Sequence, residues 1–178
     1  MNINKPPRRV VTGHDSTGKA IVIMDSPIPH KVVRDGLNIT ARLTWSTDSA
    51  PDDISGSLDR AASHIGFGPK SGGTIVRVVD YAPVNESEIS NSLATQIGDA
   101  HKESKAWPIR HPFMHRTSTC DYAFVMSGEI DMLLDDSEVH LQAGDILIQQ
   151  ATNHAWVNRG KEICRIAFVL VSSKDPLD

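Results

Sequence analysis

Residues 112–171 read PFMHRTSTCDYAFVMSGEIDMLLDDSEVHLQAGDILIQQATNHAWVNRGKEICRIAFVLV, and this stretch decides the fold. Six short runs rich in apolar, β-branched and aromatic residues follow one another in it, at 121–126, 130–134, 139–141, 145–149, 154–158 and 164–171. Between them stand Ser127-Gly128, Asp135-Asp136-Ser137, Ala143-Gly144 and Arg159-Gly160. Glycine admits positive φ, and Asp and Ser side chains bond their own backbone, so each insertion is a turn. Short strands separated by turns at such close spacing make an all-β barrel or sandwich. Closing the sheet also removes the edges that so many strands would expose.

Upstream the same signals continue more sparsely. Residues 37–47 (LNITARLTWST) and 73–81 (GTIVRVVDY) alternate apolar and polar side chains, the pattern of half-buried strands. Two β-prone runs, 9–12 and 20–24, flank the turn-rich connector 13–19 and form a hairpin. Residues 1–9 carry Pro6-Pro7 and read as a loose arm. The Ser, Asp, Gly and Pro-rich segment 48–72 reads as a surface loop. Residues 85–107, polar with Ile89, Leu93 and Ile97 four apart, read as a lid-like loop with a helical turn or two.

With 178 residues, 39% hydrophobic and 22% charged, the chain suffices for one core and is short for two. A single domain over 1–178 is expected, with an arm, hairpin and accessory strands in 1–110 and the barrel core in 111–173. The formal net charge of −4, without a run of Lys or Arg, excludes the electrostatic footprint of a nucleic-acid binder. No apolar run approaches the ~20 residues that span a bilayer, so no membrane partner is expected. Nothing at the start has the build of a secretion signal, which gives a cytoplasmic protein. Cys120 and Cys164 both fall within strands and read as free thiols.

Strand parity locates a site. Residues two apart share a face, so His115, Thr117, Thr119 and Asp121 project together, as do His154, Trp156 and Asn158. If both faces point inward, two imidazoles and a carboxylate meet in a cavity walled by Trp156 and the 166–171 strand. His115, Asp121 and His154 then form a ligand set suited to a divalent metal such as Fe, Mn, Ni or Zn. Without a metal, His115 and His154 are the catalytic acid–base groups with Asp121 orienting them, since a neutral imidazole near an ionised carboxylate titrates close to neutrality. Thr117, Trp156 and Asn158 are expected to contact the substrate. His14, His30, His64, His101 and His140 read as surface residues, and His111 as a residue of the pocket rim. Tyr122 has the opposite parity to Asp121 and reads as packing between sheets.

The order His115-Arg116-Thr117, Asp121, Gly128, then Gly144-Asp145, His154, Asn158 resembles the two motifs of the cupins, in particular the small bacterial "cupin 2" class. Thr117 stands where that pattern has its second His, Asp121 where it has Glu, and Gln150 and Thr152 where it has Pro and Gly. The resemblance implies a double-stranded β-helix (jelly-roll) barrel with additional N-terminal strands. It also implies a small-molecule ligand and a homodimer joined through the N-terminal hairpin. Two functions from different classes follow. One is an enzyme for oxidation, dehydration or other lyase chemistry, or isomerisation, of a small organic acid, ketone or aromatic compound. The other is a non-catalytic sensor or binding protein using the same residues to orient a ligand.

Overall fold

The computed structural model describes residues 5–29, 31–34, 39–62, 66–85 and 110–177. These form strands β1 (Arg8–His14), β2 (Ala20–Pro27), β3 (Lys31–Arg34), β4 (Ile39–Thr47), β5 (Thr74–Tyr81) and β6 (Thr119–Ser127). They continue with β7 (Glu129–Leu133), β8 (Glu138–Gln142), β9 (Ile146–Gln150), β10 (Ala155–Val157) and β11 (Cys164–Ser172). All the pairings are antiparallel. A six-stranded sheet runs β3-β4-β5-β11-β6-β9, a three-stranded sheet runs β10-β7-β8, and β1 and β2 pair as a hairpin.

The core lies between the two larger sheets. Ile75, Val125, Ile166 and Phe168 face it from one side, and Ile130, Met132, Leu141 and Trp156 from the other. The chain is therefore all-β, a jelly-roll barrel with the hairpin and β3–β5 added ahead of its core. β11, the longest apolar run, takes the central place, bonded to β5 on one edge and β6 on the other. Gly128 makes the tight β6–β7 turn at φ +76°; a Cβ there would meet the carbonyl oxygen of Ile163 at 2.7 Å.

The hairpin and all six core strands fall within a few residues of their sequence-based bounds. Two features differ. β3, only four residues long between Pro29 and Asp35-Gly36, is too short for its period to register in the sequence. Segment 48–72 is more than a surface loop: Ala61 is buried, and Ala61, Ala62, Gly66 and Phe67 reach the barrel interior. It is tied down by Arg9, whose guanidinium grips Asp59 in two 2.7 Å bonds, and by the Ser46 hydroxyl donating to the Arg60 carbonyl at 2.8 Å. The 85–107 expectation lies outside the described residues except for Asn85, as do those for His30, His64 and His101.

Candidate functional site

The barrel encloses a cavity of about 260 Å³. Its walls are apolar and aromatic, with Val79 and Tyr81 from β5, Phe168 and Leu170 from β11, Trp156 from β10, and Phe113. Phe168 and Trp156 meet edge to face at 5.3 Å. Into this envelope project His115, Thr117, Asp121 and His154, with Arg77 and Lys31.

His115 and His154 face each other because their backbones form an isolated antiparallel bridge, each amide donating to the other's carbonyl at 2.8 and 2.9 Å. Residues so paired hold their side chains side by side, and the ring centroids lie 4.3 Å apart. His115 Nδ1 lies 2.9 Å from the Phe113 carbonyl oxygen, and His154 Nδ1 lies 3.0 Å from that of Thr152. A carbonyl only accepts, so each Nδ1 carries a proton. Burial, and then the neighbouring His115, hold the His154 imidazole well below its ordinary pKa. His154 is thus a neutral acceptor at physiological pH.

Asp121 reaches the cavity from β6 and is buried. Its Oδ2 accepts from Gln149 Nε2 at 3.3 Å, and its buried Oδ1 has no hydrogen-bond partner among the described residues. Burial pushes the carboxyl up to about 6, against the smaller opposing effects of the Thr119 hydroxyl and the Arg77 guanidinium. Thr117 Oγ1 is 2.7 Å from Thr119 Oγ1, so one face carries Thr117, Thr119 and Asp121 as the parity requires.

Of the substrate contacts expected from sequence, Thr117 and Trp156 line the cavity. Asn158 does not. It lies beyond the end of β10, where strand parity no longer applies, and is fully buried. Its carboxamide donates 2.8 Å bonds to the carbonyls of Tyr81 and Glu162 and accepts from the Gly160 amide at 2.9 Å. It fastens the β10–β11 turn to β5. His111, expected at the rim, is buried, its Nδ1 accepting from the Phe113 amide at 3.1 Å and its ring edge-on to Phe113. Tyr122 is exposed on the outer face of the six-stranded sheet rather than packed between sheets.

His115, Asp121 and His154, the metal trio expected from sequence, all line this cavity. Among the described residues, no three His, Cys, Asp or Glu side chains are grouped so as to hold a metal ion. The His115–His154 pair supplies two adjacent imidazoles.

Arg77 is a site residue that the sequence reading passed over. Its signal was a charge on the apolar phase of β5, in register with Ile75 and Val79. The guanidinium bonds the Gly66 and Phe67 carbonyls, holding the loop that closes one wall. The loop residues lining that wall carried no periodicity by which to find them. Lys31, likewise overlooked, belongs to the short β3.

Comparison with known proteins agrees with this architecture. The Cupin_2 family model (cupin domain) matches residues 105–171. The chain is 30% identical over 179 residues to phomopsin biosynthesis cluster protein C′ of Diaporthe leptostromiformis, covering 96% of this chain and 80% of that protein. It is 27% identical to the cupin-domain-containing oxidoreductase fogC of Aspergillus ruber, covering 94% and 73%. Among solved structures, the cupin domain of Schizosaccharomyces pombe Cnp3 aligns over 93% of this chain and 88% of that one, at 9% identity and a TM-score of 0.49. No helix among the described residues is long and apolar enough to cross a membrane. The jelly-roll barrel, the match to its core strands and a relative aligned along almost the whole chain together make this protein a member of the cupin superfamily.

Proposed function

We propose that the cavity is the active site of a small-molecule enzyme that moves a proton on an apolar, carbonyl-bearing compound, in a dehydration or isomerisation. The observation that carries this reading is Asp121, a carboxyl held at about 6 in an apolar cavity that also holds two imidazoles. Proton-transfer groups work best when their pKa lies near the working pH, and burial has brought this carboxyl there. Asp121 is the base that takes a proton from the carbon beside the carbonyl and returns it at a second position. His154 is too weakly basic for that step. Its Nε2 instead accepts a hydrogen bond from a substrate hydroxyl, and the His115 ring, 4.3 Å away, helps to orient the substrate beside it. The aromatic walls exclude water and select a flat or ring-bearing molecule. The sequence-based roles are thereby exchanged, with Asp121 as base and the histidines as orienting groups.

The relatives' names favour a second reading. Several are called cupin-domain oxidoreductases, and others belong to biosynthesis clusters. Oxidation of the same class of compound would require an electron acceptor besides the described residues.

The test is solvent exchange. Small aryl ketones and 1,3-dicarbonyl compounds that raise the melting temperature are incubated with the protein in D₂O, and deuterium entry at carbon is followed by NMR. Catalysed exchange without oxygen uptake is expected. Oxygen uptake with no exchange would favour the oxidative reading, and tight binding with neither would make the protein a binder.

A further inference from the structure

β11 ends at Ser172, and the residues after it fold back along the segment that leads into β6. The Ser173 amide donates to the Ser118 carbonyl at 3.1 Å. The Asp175 carboxylate accepts from the Ser118 hydroxyl at 3.3 Å and from the Leu177 amide at 2.9 Å. The same carboxylate pairs with Arg116, and only 7% of the Arg116 side chain and 10% of that of Asp175 are exposed. Arg116 stands between His115 and Thr117, yet neither it nor Asp175 lines the cavity.

Arg116 carries this tie to a strained turn. Its Nε donates to the Ala151 carbonyl at 2.7 Å, and the Ala151 amide donates to the Thr119 carbonyl at 2.9 Å. Ala151 sits at φ +52°, the only non-glycine residue with positive φ among the described residues. A residue with a Cβ is disfavoured there, and such a conformation persists only where its surroundings hold it. Both partners that hold it belong to the segment that sends His115, Thr117 and Asp121 into the cavity. Ala151 opens the turn from β9 to β10. The next carbonyl along, that of Thr152, accepts from His154 Nδ1 at 3.0 Å, and the His154 amide donates to the His115 carbonyl at 2.9 Å.

We infer that Arg116 and Asp175 are positioning residues of the cavity, a clasp from the C-terminal segment that holds the Ala151 turn and, through it, the His154 ring beside His115. The inference rests on the reading of the cavity as an active site in which His154 orients the substrate. An exposed ion pair fixes little, whereas a buried pair bonded also to a main-chain carbonyl is held in one geometry. A displacement of about 1 Å within a site can cost about a hundredfold in rate. The clasp therefore bears on the chemistry although neither of its side chains touches the substrate.

Arg116→Met, which keeps the apolar stem, and Asp175→Asn, which keeps the side-chain shape, break the clasp from its two sides. On the full chain, near-UV circular dichroism and melting verify folding, nitrogen-15 NMR reads the His154 tautomer, and steady-state deuterium exchange reads the chemistry. Both variants are expected to turn the single Nδ1–H form of His154 into a mixture of tautomers. Their kcat is expected to fall by about ten- to a hundredfold, with KM moved by less than about threefold. Adding Ala151→Gly, which lifts the penalty on positive φ, is expected to restore most of both. Asn158→Ala weakens the fold from outside the cavity and is expected to keep the wild-type His154 signal. An unchanged His154 signal and kcat in both clasp variants would overturn the inference and leave a pair that only stabilises the fold. Losses that Ala151→Gly does not restore would overturn the route through the turn. If the wild type exchanges no deuterium, the proton-transfer reading falls, and the His154 signal decides this inference by the same criteria.

Discussion

Asp121 shows how one buried residue couples stability to pH. Its carboxyl lies near 3.8 in the unfolded chain and about 6 in the folded one, so between these values the native state holds more protons. Its contribution to stability therefore falls as pH rises through that window, and above 6 the buried charge costs up to about 3 kcal/mol. Asp121→Asn should be more stable than wild type at pH 8, by about 1–3 kcal/mol, with the difference closing near pH 4 in paired denaturant titrations. Asn158 supports a contrasting prediction. Asn158→Ala strips partners from two carbonyls and an amide and should cost about 1–3 kcal/mol, while ligands that stabilise the wild type still raise its melting temperature. From sequence both residues fall in the site, Asp121 as a ligand or catalytic group and Asn158 as a substrate contact. What separates them is where regular strand geometry stops, since parity holds along β6 but lapses past Val157. Parity also reads His115, Thr117, Asp121, His154 and Trp156 into the cavity, whereas distances between strands are invisible to it.

Among elements, β11 organises the molecule, and its anchor is ionic. Arg165 on β11 forks onto Asp80 of β5 at 2.6 and 3.0 Å, and Arg42 of β4 bonds the same carboxylate. Arg165 is 2% exposed, so this bond clamps three neighbouring strands out of water. Taking away one partner of a buried pair leaves an uncompensated charge, and Asp80→Ala is expected to cost about 3–5 kcal/mol, seen as a lowered denaturation midpoint. Nearby Cys164, its thiol pushed up to about 12 by burial and then by Asp80 and Glu129, packs as a small hydrophobe, as its place in an apolar run suggested. The strands were legible because period-two alternation and turn residues are local signals. The inward course of segment 48–72 was not, because it rests on the distant partners Arg9 and Arg77.

For the molecule as a whole, the apolar interior has two uses: it packs the core between the sheets and it walls the cavity. The jelly roll could be read from six closely spaced strands, while chemistry had to wait for burial, the largest cause of the opposite displacements of a carboxyl and an imidazole in one cavity. The most direct test of the central claim is the pH dependence of deuterium exchange into a bound carbonyl compound, compared between wild type and Asp121→Asn. The wild-type rate is expected to rise through an inflection near pH 6 to a plateau, and the variant to lose at least about tenfold of that plateau together with the inflection. A variant that keeps the wild-type rate and profile would contradict it.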